Sequence, residues 1–102
     1  MYIIIIGCGK VGYHLTRALL SAGHEAVAIE LNARKVAAVL DELGSVAVGG
    51  DGSEPSVLEE AGVERADVLI AVTGDDEDNL VACQVAKHRF NVPKTIALVN
   101  NP

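Results

Sequence analysis

A chain of 102 residues has room for one hydrophobic core, so a single domain is expected. Half of it is apolar but only 3% is aromatic, so that core must consist of Val, Ile, Leu and Ala, the material of parallel strands packed between helices. A formal charge of −6, from 14 acidic and 8 basic residues, argues against a nucleic-acid or anionic-membrane surface, which would need a basic patch.

Residues 2–6 are apolar throughout, as a central strand buried on both faces requires. The run has no basic flank and is too short for a signal peptide or a membrane span, and no other segment reaches spanning length. A cytoplasmic location is therefore expected. The loop Gly7-Cys8-Gly9-Lys10-Val11-Gly12 follows and opens a helix that runs to about Ala22. On it Val11, Leu15, Ala18, Leu19 and Ala22 fall on one face, and Gly23 is its stop. Residues 26–30 form a second strand. Asn32 caps a helix over 33–43 whose stripe is Val36, Val39, Leu40 and Leu43, with Gly44 as its stop.

Residues 45–48 are a short third strand leading into the turn Gly49-Gly50-Asp51-Gly52. Ser53 is placed to cap a short helix with Pro55 in its first turn and Gly62 beyond its end. Residues 66–72 are a strongly apolar fourth strand, followed by Thr73-Gly74. A helix over 76–90 has acids in its first turn and Lys87, His88 and Arg89 in its last, matching the helix dipole at both ends. Residues 95–99 are a fifth strand, and the sequence ends at Asn100-Asn101-Pro102.

Strands alternating with helices imply parallel pairing through right-handed crossovers. The expected fold is a Rossmann-like three-layer α/β/α domain with strand order 3-2-1-4-5. Its topological switch point lies between strands 1 and 4, where such sheets bind ligands at the carboxyl ends of their strands. The glycine loop, Glu30, residues 49–51 and Thr73-Gly74 all fall at those ends.

A GxGxxG pattern alone is a weak signal, but here it directly follows an apolar strand and opens a helix. Gly7 permits the tight turn, Gly9 admits a pyrophosphate to the backbone, and Gly12 lets helix and strand pack closely. The first-turn amides and the helix dipole supply the anion site. Lys10 is read equally as a phosphate contact or a solvated side chain. Glu30 ends the second strand about 20 residues past the loop, where a ribose-binding acid is expected; a carboxylate there accepts from both ribose hydroxyls and repels a 2′-phosphate. Arg34 and Lys35 read best as a solvated helix face. Asp51 stands where an adenine edge is expected, as pocket wall or as former of the turn beside it. Thr73 and Gly74 lie across the crevice from the glycine loop.

The acidic run Asp75, Asp76, Glu77 and Asp78 is read as capping and dipole matching before metal binding. Cys8 and Cys83 read as small buried fillers rather than a disulfide or redox pair. His14, His24 and His88 are scattered, and no Ser/His/Asp arrangement suggests a triad. The sequence offers a ligand site without a catalytic group or a metal set.

Four stretches together, MYIIIIGCGKVG, AIELN, GGDGSEPSVLEEAGVERADVLIAVTGDDEDN and TIALVNNP, resemble the TrkA-N domain, also called the RCK or KTN domain, over essentially the whole chain. The resemblance implies a cytoplasmic regulatory domain, peripheral to the membrane through its partner, a potassium transporter or channel subunit. It implies binding of NAD(H), ATP, ADP or AMP, and assembly as homodimers or higher homo-oligomers. Carried over by position, Gly7, Gly9 and Gly12 hold phosphate, Glu30 the adenosine ribose, Asp51 the adenine side, and Thr73 the crevice wall. Asn79 matches a family position at the start of the fourth helix without an assigned role. The candidate contact set is thus Gly7, Cys8, Gly9, Lys10, Val11 and Gly12, then Glu30, Leu31 and Asn32, then Asp51 and Gly52, then Thr73 and Gly74. In two respects the sequence departs from the family. Leu98 stands where the family often has a phosphate-meeting arginine, and the sequence does not reach the further strand and helices the family uses in dimerisation. The alternative reading is the cofactor-binding half of an NAD-dependent oxidoreductase, and a third is a Rossmann relict that serves only assembly.

Overall fold

The computed structural model describes residues 1–100, so Asn101 and Pro102 lie outside the described residues. In chain order the elements are β1 (Tyr2–Ile6), α1 (Lys10–Ser21), β2 (Glu25–Glu30), α2 (Ala33–Leu43), β3 (Ala47–Gly49), α3 (Pro55–Glu60), a 3₁₀ turn (Val63–Arg65), β4 (Val68–Ala71), α4 (Asp76–Phe90) and β5 (Lys94–Ala97). The sheet order is β3-β2-β1-β4-β5 with every pair parallel, as the alternation of elements requires.

Strand β1 is buried along its whole length because helices cover both of its faces. Ile3 and Ile5 pack with Ala26 and Val68 under Leu15, Leu19 and Leu20 of α1. Tyr2, Ile4 and Ile6 point the other way, into the larger cluster with Leu58 of α3 and Ala82, Cys83 and Ala86 of α4. Helix α2 lies on the α1 side, where Val39 meets Ala28 and Cys8. Ile96, in register with Ile70, is 43% exposed, so β5 is the thinly covered edge of the sheet.

The apolar runs overshoot the strands. Before β4, Asp67 donates its N–H to the Tyr2 carbonyl and accepts the Tyr2 N–H on its carboxylate, each at 2.8 Å. Strand β5 starts earlier than the apolar pattern, at Lys94, and the chain leaves the ladder after Ala97, with one further bond from Leu98 N–H to the Ala71 carbonyl at 2.9 Å. Strand β3 is shifted to Ala47–Gly49, carried on by Gly50 N–H donating to the Glu30 carbonyl at 2.9 Å.

The face of α1 is rotated from the expected stripe. Gly12 and Thr16 are its buried residues, Leu15 and Leu19 are half-buried, and Val11, Ala18 and Ala22 are exposed. The reason is local. A Cβ on residue 12 would stand 1.7 Å from the Gly7 carbonyl oxygen, so the helix touches the loop there and the Gly12–Thr16 row is turned inward. Thr16 Oγ1 donates back to the Gly12 carbonyl at 2.8 Å, satisfying a hydroxyl that has no access to water. On α2, Val39 is buried as expected while Leu40 is 44% exposed.

Helix α3 also begins differently. Its N-cap is Glu54, which makes no side-chain cap bond, and Pro55 supplies the first-turn position. Ser53 instead donates its N–H and its hydroxyl to Asp51 Oδ1, at 2.9 and 2.7 Å, closing an Asx turn before the helix. Pro55, suited to the first helical position, sets the N-cap one residue beyond Ser53. Helix α4 is capped by Asp75, whose carboxylate accepts from Asp78 N–H at 2.9 Å.

Gly12→Ala is expected to destabilise the domain by at least about 2 kcal/mol, because backbone rather than a flexible side chain blocks the new methyl. Urea unfolding of the variant beside the parent measures it.

Candidate functional site

A crevice of about 210 Å³ opens at the carboxyl ends of the strands. Its lining draws on Gly7 and Gly9 of the loop, Glu30 and Leu31 after β2, Gly50–Ser53 after β3, and Thr73–Asp75 after β4. Ile6, Ile29, Val72 and Ala82 give it apolar walls. This is the switch point of the sheet, where neighbouring crossovers leave β1 in opposite directions.

The loop that floors it is shaped by two contacts. Gly7 has φ +104°, in the region that favours glycine, and its N–H donates to the Ile29 carbonyl at 2.8 Å. Gly9, the N-cap of α1, has no protein atom within 4 Å of the place its Cβ would take, so that space is open.

Glu30 holds the other side of the loop. One carboxylate oxygen accepts the Cys8 N–H at 2.7 Å and the other accepts the Asn32 N–H at 2.8 Å. An ionised carboxylate has about four acceptor positions, so two remain for further donors. Glu30 therefore fixes the loop and still offers acceptors to the crevice. Leu31, beside it, is 71% exposed, an apolar side chain held at the rim.

The helix termini at the crevice differ in electrostatics. Helix α1 has no side-chain cap and no acid in its first turn, so its first-turn amides and its dipole are uncompensated by protein. Helix α2 is capped by Asn32, which accepts from Arg34 and Lys35 N–H at 2.9 and 3.2 Å. Helix α4 carries its Asp75 cap and Asp76, Glu77 and Asp78 in its first turn. The anion-seeking end is that of α1 alone among these three.

Eight residues expected from the sequence line the crevice: Gly7, Gly9, Glu30, Leu31, Asp51, Gly52, Thr73 and Gly74. Five do not. Cys8 is buried against Ala28 and Val39, Gly12 is buried under the loop, Lys10 and Val11 are exposed on α1, and Asn32 is occupied as a cap. Lys35, assigned by its sequence to a solvated helix face, belongs to the lining, and so do Ser53, Asp75 and Asp78. The signal for Lys35 was its place in the first turn of a helix that starts at the crevice. Asn79 does not line it; fully buried, it bonds to Thr73, which does.

Neither cysteine is poised for thiolate chemistry. Burial pushes the Cys8 thiol up to about 11, with the Glu30 carboxylate adding to the shift and Lys35 opposing it. Burial also raises Cys83, against a small opposing effect of a bond from the Ala71 backbone. Among the described residues no group of three or more His, Cys, Asp and Glu is arranged to hold a metal, and no helix is long and apolar enough to cross a membrane.

Fold and crevice together define a Rossmann-type doubly wound domain with an open switch-point site. The chain belongs to the TrkA-N domain family, which it matches over residues 3–102. It is 40% identical over 102 residues to a Trk system potassium uptake protein TrkA homolog of Methanothermobacter thermautotrophicus, covering 100% of this chain and 47% of that relative. The chain thus spans about half the length of that curated relative. Among solved structures, the NAD(P)-binding domain of an exopolyphosphatase-related protein from Archaeoglobus fulgidus superposes with a TM-score of 0.82 at 26% identity, over 98% of this chain and 74% of that one. The GsuK RCK domain superposes with a TM-score of 0.77 at 26% identity, over 92% of this chain and 20% of that one.

The thiol shift has a sign that can be measured. The unfolded Cys8 ionises near 9.0 while the folded one keeps its proton to about 11, so the folded state holds more protons between those values. Stability is fully present below that window and falls as pH rises through it. Cys8→Ala is expected to flatten the fall in urea-unfolding stability between pH 9 and 11 while leaving the slope below about pH 8 unchanged.

Proposed function

We propose that this domain binds an adenine nucleotide in the crevice and that its occupancy regulates a membrane potassium transporter or channel subunit. The observation that carries the ligand reading is the pairing of an uncompensated α1 terminus with the Glu30 carboxylate across one open crevice. Phosphate belongs at the α1 amides beside Gly9, and the adenosine ribose at the two acceptors Glu30 has left. The base then lies toward Leu31 and the Gly50–Ser53 turn. The regulatory reading is supported by family membership and by the name of the Methanothermobacter relative. Binding here acts by differential affinity for two states of an assembly, not by chemistry on the nucleotide. Association with further copies of the chain is proposed on the same family ground, with the thinly covered β5 edge as available surface.

The choice among nucleotides follows from charge. Beyond the α1 terminus, the β4 side of the crevice offers Asp75 and Asp78 and no cation, and Leu98 follows β5. Terminal phosphates would meet two carboxylates there, whereas a nicotinamide half would not add negative charge. The favoured ligands are NAD(H) and AMP over ATP, and Glu30 disfavours a 2′-phosphate.

Calorimetric titration with NAD, NADH, ATP, ADP and AMP tests this directly. Glu30→Ala is expected to weaken binding at least about tenfold. Gly9→Ala is expected to weaken it comparably while changing stability by less than about 1 kcal/mol, since the methyl meets no protein atom. Binding that survives both substitutions, or no binding by any of the five nucleotides, would remove the ligand reading. Asp78→Asn is expected to strengthen ATP about five-fold and leave AMP unchanged, from removal of one nearby charge at an exposed site. Equal gains for both nucleotides would refute the charge argument.

A further inference from the structure

Asn79 is fully buried in the first turns of α4, and it shares that condition with Thr16 alone among the buried polar residues described. Its Oδ1 accepts the Thr73 N–H at 3.0 Å and the Thr73 hydroxyl at 2.6 Å. Its Nδ2 donates to the Thr73 carbonyl at 3.1 Å and to the Leu98 carbonyl at 3.0 Å. Every hydrogen-bonding position of the amide is thereby used. Nothing in the crevice requires this, because Asn79 does not line it.

The two ends of the bridge differ in character. Thr73 is a wall of the crevice, and its backbone N lies 3.0 Å from where a Cβ on Gly7 would stand, close against the phosphate loop. Leu98 is the first residue after β5, held to the sheet by its N–H bond to the Ala71 carbonyl. A second bridge runs alongside at the surface. Asn100 donates its N–H and its side-chain amide to Asp76 Oδ1 at 2.7 and 3.0 Å, and the same amide reaches the Thr73 carbonyl at 3.4 Å. Helix α4, which carries Asn79 and Asp76, is anchored in the core by Ala82, Cys83 and Ala86.

We infer that Asn79 is a positioning residue that transmits nucleotide occupancy from Thr73 to the chain leaving β5 at Leu98–Asn100. The inference rests on the nucleotide reading above and goes beyond it, to where occupancy is felt. A buried amide with all its positions used has no slack. Thr73 cannot be shifted or stiffened by a ligand without changing the bond to Leu98, since both share one planar group on a fixed helix. Ligand binding at Thr73 is then read as ordering of the strand exit, a coupling with a defined observable.

The experiment is amide hydrogen exchange by NMR with and without saturating AMP, with AMP affinity measured in parallel by calorimetry. In the parent, the Leu98 and Asn100 amides are expected to exchange about five-fold more slowly or better when AMP is bound. Asn79→Asp keeps the acceptor for the Thr73 N–H and hydroxyl and loses both donor bonds, to the Thr73 and Leu98 carbonyls. It is expected to bind AMP within about three-fold of the parent, yet to lose the AMP effect at Leu98. Asn100→Ala, an exposed change, removes the side-chain amide bonds to Asp76 and to the Thr73 carbonyl, keeps the backbone bond to Asp76, and is expected to keep that effect.

AMP binding without slowed exchange at Leu98 in the parent overturns the inference while the nucleotide reading stands. So does a Leu98 response that persists in Asn79→Asp, or one that vanishes in Asn100→Ala. If Asn79→Asp does not fold, the parent and Asn100→Ala still decide by the same criteria. Failure of AMP and NAD to bind at all removes the nucleotide reading, and this inference with it.

Discussion

The contact between Gly12 and the Gly7 carbonyl sets the rest of the site. Without a side chain at residue 12, α1 can begin almost on top of β1, and its amino end then stands over the carboxyl edge of the sheet. Because that contact fixes the rotation of α1, it also decides that Leu15, Leu19 and Leu20 cover Ile3 and Ile5. A longer connection would leave the helix dipole aimed at solvent and the crevice without a floor. The placing of the uncapped α1 terminus over the crevice and the packing of one sheet face are therefore consequences of one missing Cβ.

Glu30, the carboxylate proposed to hold the ribose, is also a structural group. Its carboxylate joins the loop after β1 to the start of α2 through Cys8 and Asn32, adding to the Gly7 N–H bond to Ile29 and the packing of Cys8 on Val39. Burial raises the Cys8 thiol and the same negative charge adds to the shift, which keeps the sulfur beneath the loop protonated and inert. The crevice is thus prepared before any ligand arrives, which limits the ordering cost of binding.

Much of this was legible in the sequence because it depends on periodicity and on glycine. The strand order followed from alternating elements with short turns, and the crevice followed from the order. The charge pattern of α4, with Asp75 to Asp78 at one end and Lys87 to Arg89 at the other, needs only the helix dipole to be understood. What escaped depended on tertiary contact. The rotation of α1 was misjudged because Val11, Ala18 and Ala22 are apolar, while the inward row begins with a glycine and a threonine that carry no hydrophobic signal. Ser53 was a sound cap candidate locally, but the helix starts one residue later, with Glu54 as its N-cap, and Ser53 closes the Asp51 turn instead. Lys35 looked solvated because nothing in a helical pattern reveals which turn borders a cavity. Asn79 had a position and no role, since its partners Thr73 and Leu98 are brought together only by the sheet.

The empty space around Gly9 separates two kinds of constraint that usually coincide in a small domain. Folding asks little of that position beyond its place as the N-cap of α1, since a methyl there would touch no other part of the chain. A library of this domain selected only for expression and solubility would therefore let residue 9 drift, while holding residue 12 to glycine. On the proposed nucleotide reading the demand for glycine at residue 9 comes from the bound phosphate, and a comparison of the two positions under such selection would read that footprint without the ligand being present.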